Sequence, residues 1–198
     1  MKRRHFLLAP LAFAALASPA MADKISLNAL SVYLNNLQTA KGGFTQINGD
    51  GTISTGEIFI HRPGRVRFEY NPPEKSLVMA GGSMVAIFDG KSNTGPEQYP
   101  LKRTPLSLIL ERNVDLSRRK MVVGHSTDGP KTIVKAQDPE HPEYGNIQLV
   151  FTDNPVELRQ WIITDGSGYQ TTVVLGNLET GINLSARLFN ITAEAESR

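Results

Sequence analysis

Phe44-Thr45-Gln46, then Gly56-Glu57-Ile58-Phe59-Ile60-His61-Arg62-Pro63-Gly64-Arg65-Val66-Arg67-Phe68-Glu69-Tyr70 and Pro72-Pro73, is the stretch whose reading decides the fold. Its apolar residues alternate with a period of two, the pattern of strands with one buried face. Ile58, Ile60 and Arg62 share one face against Glu57 and His61. Beyond Pro63-Gly64, Val66, Phe68 and Tyr70 fall together against Arg67 and Glu69. Arg62 therefore stands on the apolar parity, where a guanidinium needs a hydrogen-bonding partner unless Pro63-Gly64 twists it outward. Arg65 has the polar parity and is expected to face solvent.

Outward from this stretch, short β-favouring runs recur between turn signals such as Asn48-Gly49-Asp50-Gly51, Gly81-Gly82, Asp128-Gly129, Asp153-Asn154-Pro155 and Asp165-Gly166-Ser167-Gly168. The expected strands cover 44–48, 53–61, 65–70, 76–80, 84–89, 95–100, 120–126, 131–137, 145–152, 156–164, 169–176 and 181–190, in an antiparallel meander. Two segments read as helices. Residues 24–38 carry Leu27, Leu30, Leu34 and Leu37 on one stripe, with Lys41-Gly42-Gly43 as the stop. Residues 104–112 form a short, very apolar helix with Thr104 as its cap and Pro105 in its first position. Residues 192–198 read as a polar tail.

About a dozen antiparallel strands cannot stay flat, so the fold class is mainly β: one large sheet curled into an unclosed barrel. Its concave face needs filling. The two apolar helices either pack there as permanent core or cap a hollow, and the pattern alone leaves both open.

Residues 1–22 read as a signal peptide, with Lys2, Arg3 and Arg4 ahead of an apolar run at 6–17 and Ala20-Met21-Ala22 as the cleavage site. The run is too short to span a bilayer, so the chain is expected to be exported, leaving residues 23–198 as one domain. Removing those three basic residues from 21 leaves 18 against 19 acidic ones, a net charge of −1. With no basic stripe to neutralise phosphates, nucleic acid is not an expected partner; Arg118-Arg119-Lys120 reads as a solvated turn.

Cysteine is absent, which excludes disulfides and a lipidated cysteine. His61, His125 and His141 are scattered without metal-ligand spacing, and no cofactor motif appears. His141, within Asp138-Pro139-Glu140-His141-Pro142-Glu143, reads as part of a surface loop. Ser83 lacks a nucleophile elbow, and Asp89, Asp128, Asp153 and Asp165 stand at turns. No catalytic residue is assigned, and the chain is not expected to be an enzyme.

The block from Phe44 to Tyr70, with the preceding signal peptide and helix and the later Ser83-Met84-Val85-Ala86-Ile87-Phe88-Asp89-Gly90-Lys91 segment, resembles LolA, the periplasmic carrier of outer-membrane lipoproteins. The resemblance covers most of the mature chain. It implies an unclosed barrel with a helical lid around a hydrophobic cavity, and a periplasmic monomer. It also implies acylated lipoproteins as cargo, an inner-membrane lipoprotein-release ABC transporter as donor, and an outer-membrane lipoprotein receptor as acceptor. The arginine matching Arg62 implies a latch that bonds helix carbonyls and fastens the lid. The expected cavity residues are Leu30, Leu34, Ile58, Ile60, Val66, Phe68, Tyr70, Leu106, Leu108 and Ile109. A lipid- or lipoprotein-sensing binding domain of the same architecture is the alternative. The absence of a second domain after the sheet favours the carrier, and a secreted hydrolase is a third class. Two departures from the family pattern are visible: the lid stretch has no clear aromatic, and no long proline-containing extension follows Leu188-Phe189-Asn190-Ile191.

Overall fold

A computed structural model describes residues 23–91, 94–117 and 120–198; the expected signal peptide and Arg118-Arg119 lie outside the described residues. The alternating stretch forms strands β1 (Thr39–Asn48), β2 (Ile53–His61) and β3 (Val66–Tyr70). Ile58 stands opposite Phe68 and Ile60 opposite Val66, so the apolar parities of neighbouring strands coincide on one face. The meander continues through β4 (Leu77–Gly81), β5 (Met84–Phe88) and β6 (Glu97–Pro100). The second half comprises β7 (Val122–Asp128), β8 (Lys131–Gln137), β9 (Asn146–Thr152), β10 (Glu157–Thr164), β11 (Gln170–Leu175) and the two-residue β12 (Glu179–Thr180).

All twelve strands belong to one antiparallel sheet, ordered β6-β5-β4-β3-β2-β1-β11-β10-β9-β8-β7, with β12 beside β1. Pairing of β1 with β11, Phe44 opposite Leu175, joins the two halves at the centre. Edge strands β6 and β7 do not pair, so the barrel is unclosed, and the chain between them crosses the concave side carrying helix α2 (Ser107–Leu110).

Helix α1 (Leu27–Asn36) starts where the Ser26 side chain accepts from Ala29 N–H at 3.2 Å. Its apolar stripe packs into the concave face, where Leu30 and Leu34 are fully buried. Tyr33 meets Phe151 edge to face at 5.9 Å, and its hydroxyl accepts from Leu158 N–H. Phe44 sits edge-on to both Phe68 and Tyr70, at 5.3 and 5.2 Å, and Phe68 to Trp161 at 6.2 Å.

Four expectations are corrected. The first helix is shorter than 24–38, and Lys41-Gly42-Gly43 does not stop it: these residues lie inside β1, which begins at Thr39. Gly42 serves a close approach instead, since a Cβ there would stand 2.8 Å from Asn177 O. Thr104 does not cap α2; its hydroxyl donates back to Leu101 O at 2.8 Å, and the helix is a single turn. The expected strand 181–190 is replaced by a 3-10 turn, Ala186–Phe189, because capping by Ser185 diverts the chain.

Finally, the polar tail is helix α3 (Ile191–Ser197), capped by Asn190 accepting from Ala193 N–H at 3.0 Å. It lies on the convex face over Leu77, Met79, Ala86 and Phe88, a second core touched by Ile191. Arg67 pins it. Arg67 is 8% exposed, and its guanidinium donates to Leu188 O at 3.0 Å and pairs with Glu194 at 2.8 Å and Glu69 at 2.6 Å. Gly81 makes room for this covering, since a Cβ there would lie 2.0 Å from Phe189 O.

Candidate functional site

The concave side is divided. Beneath α1 and the body of α2 it is packed solid; beside the lid's leading end it is hollow. A cavity of about 570 Å³ opens there, walled by Phe68 and Tyr70 of β3, Val78 of β4, Val85 and Ile87 of β5, and Leu106 before α2. The opposite wall is Trp161 and Ile163 of β10 with Thr171 and Val173 of β11. These residues share the inward parity of their strands, so a curled sheet with one apolar face produces the wall directly.

Polar groups in the wall are satisfied locally. Tyr70 donates its hydroxyl proton to Gln46 Oε1 at 2.7 Å, and Gln46 in turn bonds Asn48. Burial pushes the Tyr70 pKa up to about 12, so the phenol stays neutral. Charge is confined to the rim, where Arg103 comes from the lid side and Glu143 and Asp165 from the loops across it. Asp165 is held below the usual carboxylate range, first by the Ser167 hydroxyl, and binds the N–H groups of Ser167 and Tyr169 at 2.8 and 3.0 Å. Among the described residues no group of three or more His, Cys, Asp or Glu could hold a metal ion. No helix among them is long and apolar enough to cross a membrane.

Of the residues singled out from sequence, Phe68, Tyr70 and Leu106 line the cavity. Leu30, Leu34, Ile58, Ile60, Val66, Leu108 and Ile109 instead belong to the packed core, because α1 and α2 fill that part of the trough. Trp161, Ile163, Val173, Val78 and Val85 also line the cavity and are not among the residues expected from sequence. Their signal was present, as the inward parity of their strands, but single strands do not say which part of the trough a helix occupies.

Arg62 is 3% exposed and turned inward, toward the far end of the lid. Its Nη2 donates to the carbonyl of Glu111 and to Asn35 Oδ1 at 3.4 Å, while Nε and Nη1 are buried without partners among the described residues. Desolvation lowers its pKa, with the charge of Glu111 opposing, yet a guanidinium remains cationic at any physiological pH. Gly64 N–H donates to Leu110 O at 2.8 Å beside it. Two carbonyls at the end of α2, orphans of helix geometry, thus find donors in the β2–β3 connection. Arg65 is half-buried and donates to His61 O at 3.2 Å, without reaching the lid.

The family described as outer membrane lipoprotein carrier protein LolA matches residues 35–192. The chain belongs to the LolA family. An outer-membrane lipoprotein carrier protein of Azotobacter vinelandii is 27% identical over 197 residues, spanning 94% of this chain and 92% of the relative. One from Methylococcus capsulatus is 25% identical, spanning 97% of this chain and 94% of the relative. Among solved structures, a LolA superfamily protein of Nitrosomonas europaea aligns over 84% of this chain and 98% of that one, at 8% identity and a TM-score of 0.45.

Proposed function

We propose that this protein is a periplasmic chaperone that binds the acyl chains of lipoproteins and carries them between membranes without chemistry. In this reading it accepts cargo from an inner-membrane release transporter and delivers it to an outer-membrane receptor. The observation that carries the reading is the lidded cavity, apolar within and charged only at its rim, in a chain of this family.

The magnitudes agree with a carrier. Burying a methylene contributes about 0.8 kcal/mol, so a chain of roughly sixteen carbons gains on the order of 10 kcal/mol. A cavity of about 150 Å³ holds a benzene, or roughly 25 Å³ per carbon. At that density 570 Å³ takes on the order of one such chain with the lid closed. A second chain requires the lid to move. Partial burial of several chains also keeps affinity below the level at which release becomes too slow.

Extraction and mass analysis of lipid co-purifying with the mature protein tests the reading. Acyl lipids or acylated peptides are expected. No co-purified lipid, together with no binding of a hydrophobic dye by delipidated protein, would contradict it.

A further inference from the structure

Asn35, in the last turn of α1, is half-buried and engages two other segments at once. Its Nδ2 donates to Val114 O at 2.9 Å, and its Oδ1 accepts from Val114 N–H at 2.9 Å and from Arg62 Nη2 at 3.4 Å. One turn earlier, Ser31 Oγ accepts from Leu116 N–H at 2.9 Å. Two side chains of α1, four residues apart and hence on one helix face, thus satisfy the backbone of residues 114–116 as a neighbouring strand would. This segment follows the lid directly. Arg62, meanwhile, has only Asn35 and the Glu111 carbonyl as acceptors among the described residues.

We propose that Asn35 is the positioning residue of the lid. It ties the downstream end of the lid to α1 through Val114 and holds the Arg62 guanidinium toward Glu111 O. The lid then pivots about residues 112–114, and its Leu106 end, over the cavity, is the end that swings. The purpose of this motion rests on the carrier reading above; the anchoring itself does not.

Hydrogen exchange of the lipid-free mature protein tests the assignment without cargo. In Asn35→Ala, the amides of Val114 and of Leu108, Ile109 and Leu110 should exchange about tenfold faster, the loss of one to two hydrogen bonds. Asn35→Asp keeps the acceptor Oδ1, gives up the Nδ2 donor to Val114 O, and sets a carboxylate beside Arg62. Its lid amides should exchange more slowly than wild type, with Val114 N–H still protected. A residue of purely structural importance would speed exchange in both variants. In an Arg62→Leu background, Asn35→Ala should still speed exchange of the Val114 amide, while its added effect on the Leu108, Ile109 and Leu110 amides should be smaller than in the wild-type background. Lid exchange unchanged in Asn35→Ala, or accelerated equally in Asn35→Asp, overturns the assignment. If Asn35→Ala does not fold, the direction of the Asn35→Asp change decides alone. Uptake of an acylated peptide by the wild type is measured separately; failure there counts against the carrier reading while the exchange result still decides the role of Asn35.

Discussion

The guanidinium of Arg62 donates to the carbonyl of Glu111, 49 residues downstream, linking the end of β2 to the end of the lid. Gly64 N–H reinforces the link by donating to Leu110 O at 2.8 Å. A hydrogen bond to a charged group contributes about 1.5–3 kcal/mol, and here desolvation of the guanidinium offsets part of it. This end of α2 is therefore held by a few kcal/mol at most; on the proposed carrier reading, that is a cost an entering acyl chain can offset.

Arg62→Leu is expected to keep the fold, since leucine suits an inward position beside Ile60 and removes a buried charge. The amides of Leu108 and Ile109 should exchange at least tenfold faster, for a loss of about 1.5 kcal/mol or more. Lipid should still be taken up but passed poorly to a receptor, because closing the latch no longer helps expel it. Arg65→Leu should change both readouts much less. Hydrogen exchange with a transfer assay checks this; equal lid protection in Arg62→Leu and wild type would remove the latch.

Filling the cavity should separate stability from capacity. Val78 is half-buried on its wall, and Val78→Phe places a ring in the hollow. Melting temperature should hold or rise, while affinity for an acylated peptide falls about tenfold if about two methylenes lose their contacts. Unchanged affinity would place the acyl chain elsewhere.

Acid should loosen α3 from the convex face. Burial opposes ionisation of Glu194, but the hydrogen bonds and charges of Arg67 and Arg198 outweigh it and hold its pKa below the usual carboxylate value of 4.5. Its stabilising contribution is thus fully present above pH 4.5 and is lost as pH falls through the lower folded value. Met79, fully buried beneath the segment, reports release through its rate of peroxide oxidation. The rate should rise in acid, and Glu194→Gln should raise it several-fold at pH 7 and flatten the dependence, for a pair worth about 1 kcal/mol. Gly81→Ala, which drives a methyl into Phe189 O, should do the same at pH 7. A Met79 rate indifferent to all three changes would mean that α3 does not depend on Arg67.

The sheet was legible because its alternation is local: Ile58, Ile60, Val66 and Phe68 announce both the strands and their shared face. The apolar parity of Arg62 was readable from the same alternation, but whether Pro63-Gly64 turns the side chain outward was not; the structure turns it inward. The C-terminal segment was not, since α3 has few apolar residues and is held by Arg67, more than a hundred residues earlier. The extent of the hollow was equally hidden, because Leu34 and Phe68 both look like core, and only the placement of α1 buries one and leaves the other at a cavity wall. Asn35 gave no signal, since an asparagine near a helix end reads as a terminator and its Val114 contact is long-range.

Trp161, the single tryptophan of the chain, is 1% exposed and lines the cavity edge-on to Phe68. Its fluorescence therefore reports what enters. Delipidated mature protein would be titrated with a peptide bearing an acyl chain brominated near its end, with the unacylated peptide as control. Occupation of the cavity predicts saturable quenching of Trp161 by the brominated chain, weakened in Val78→Phe, and none by the control. Binding of the acylated peptide with Trp161 emission unquenched would contradict it.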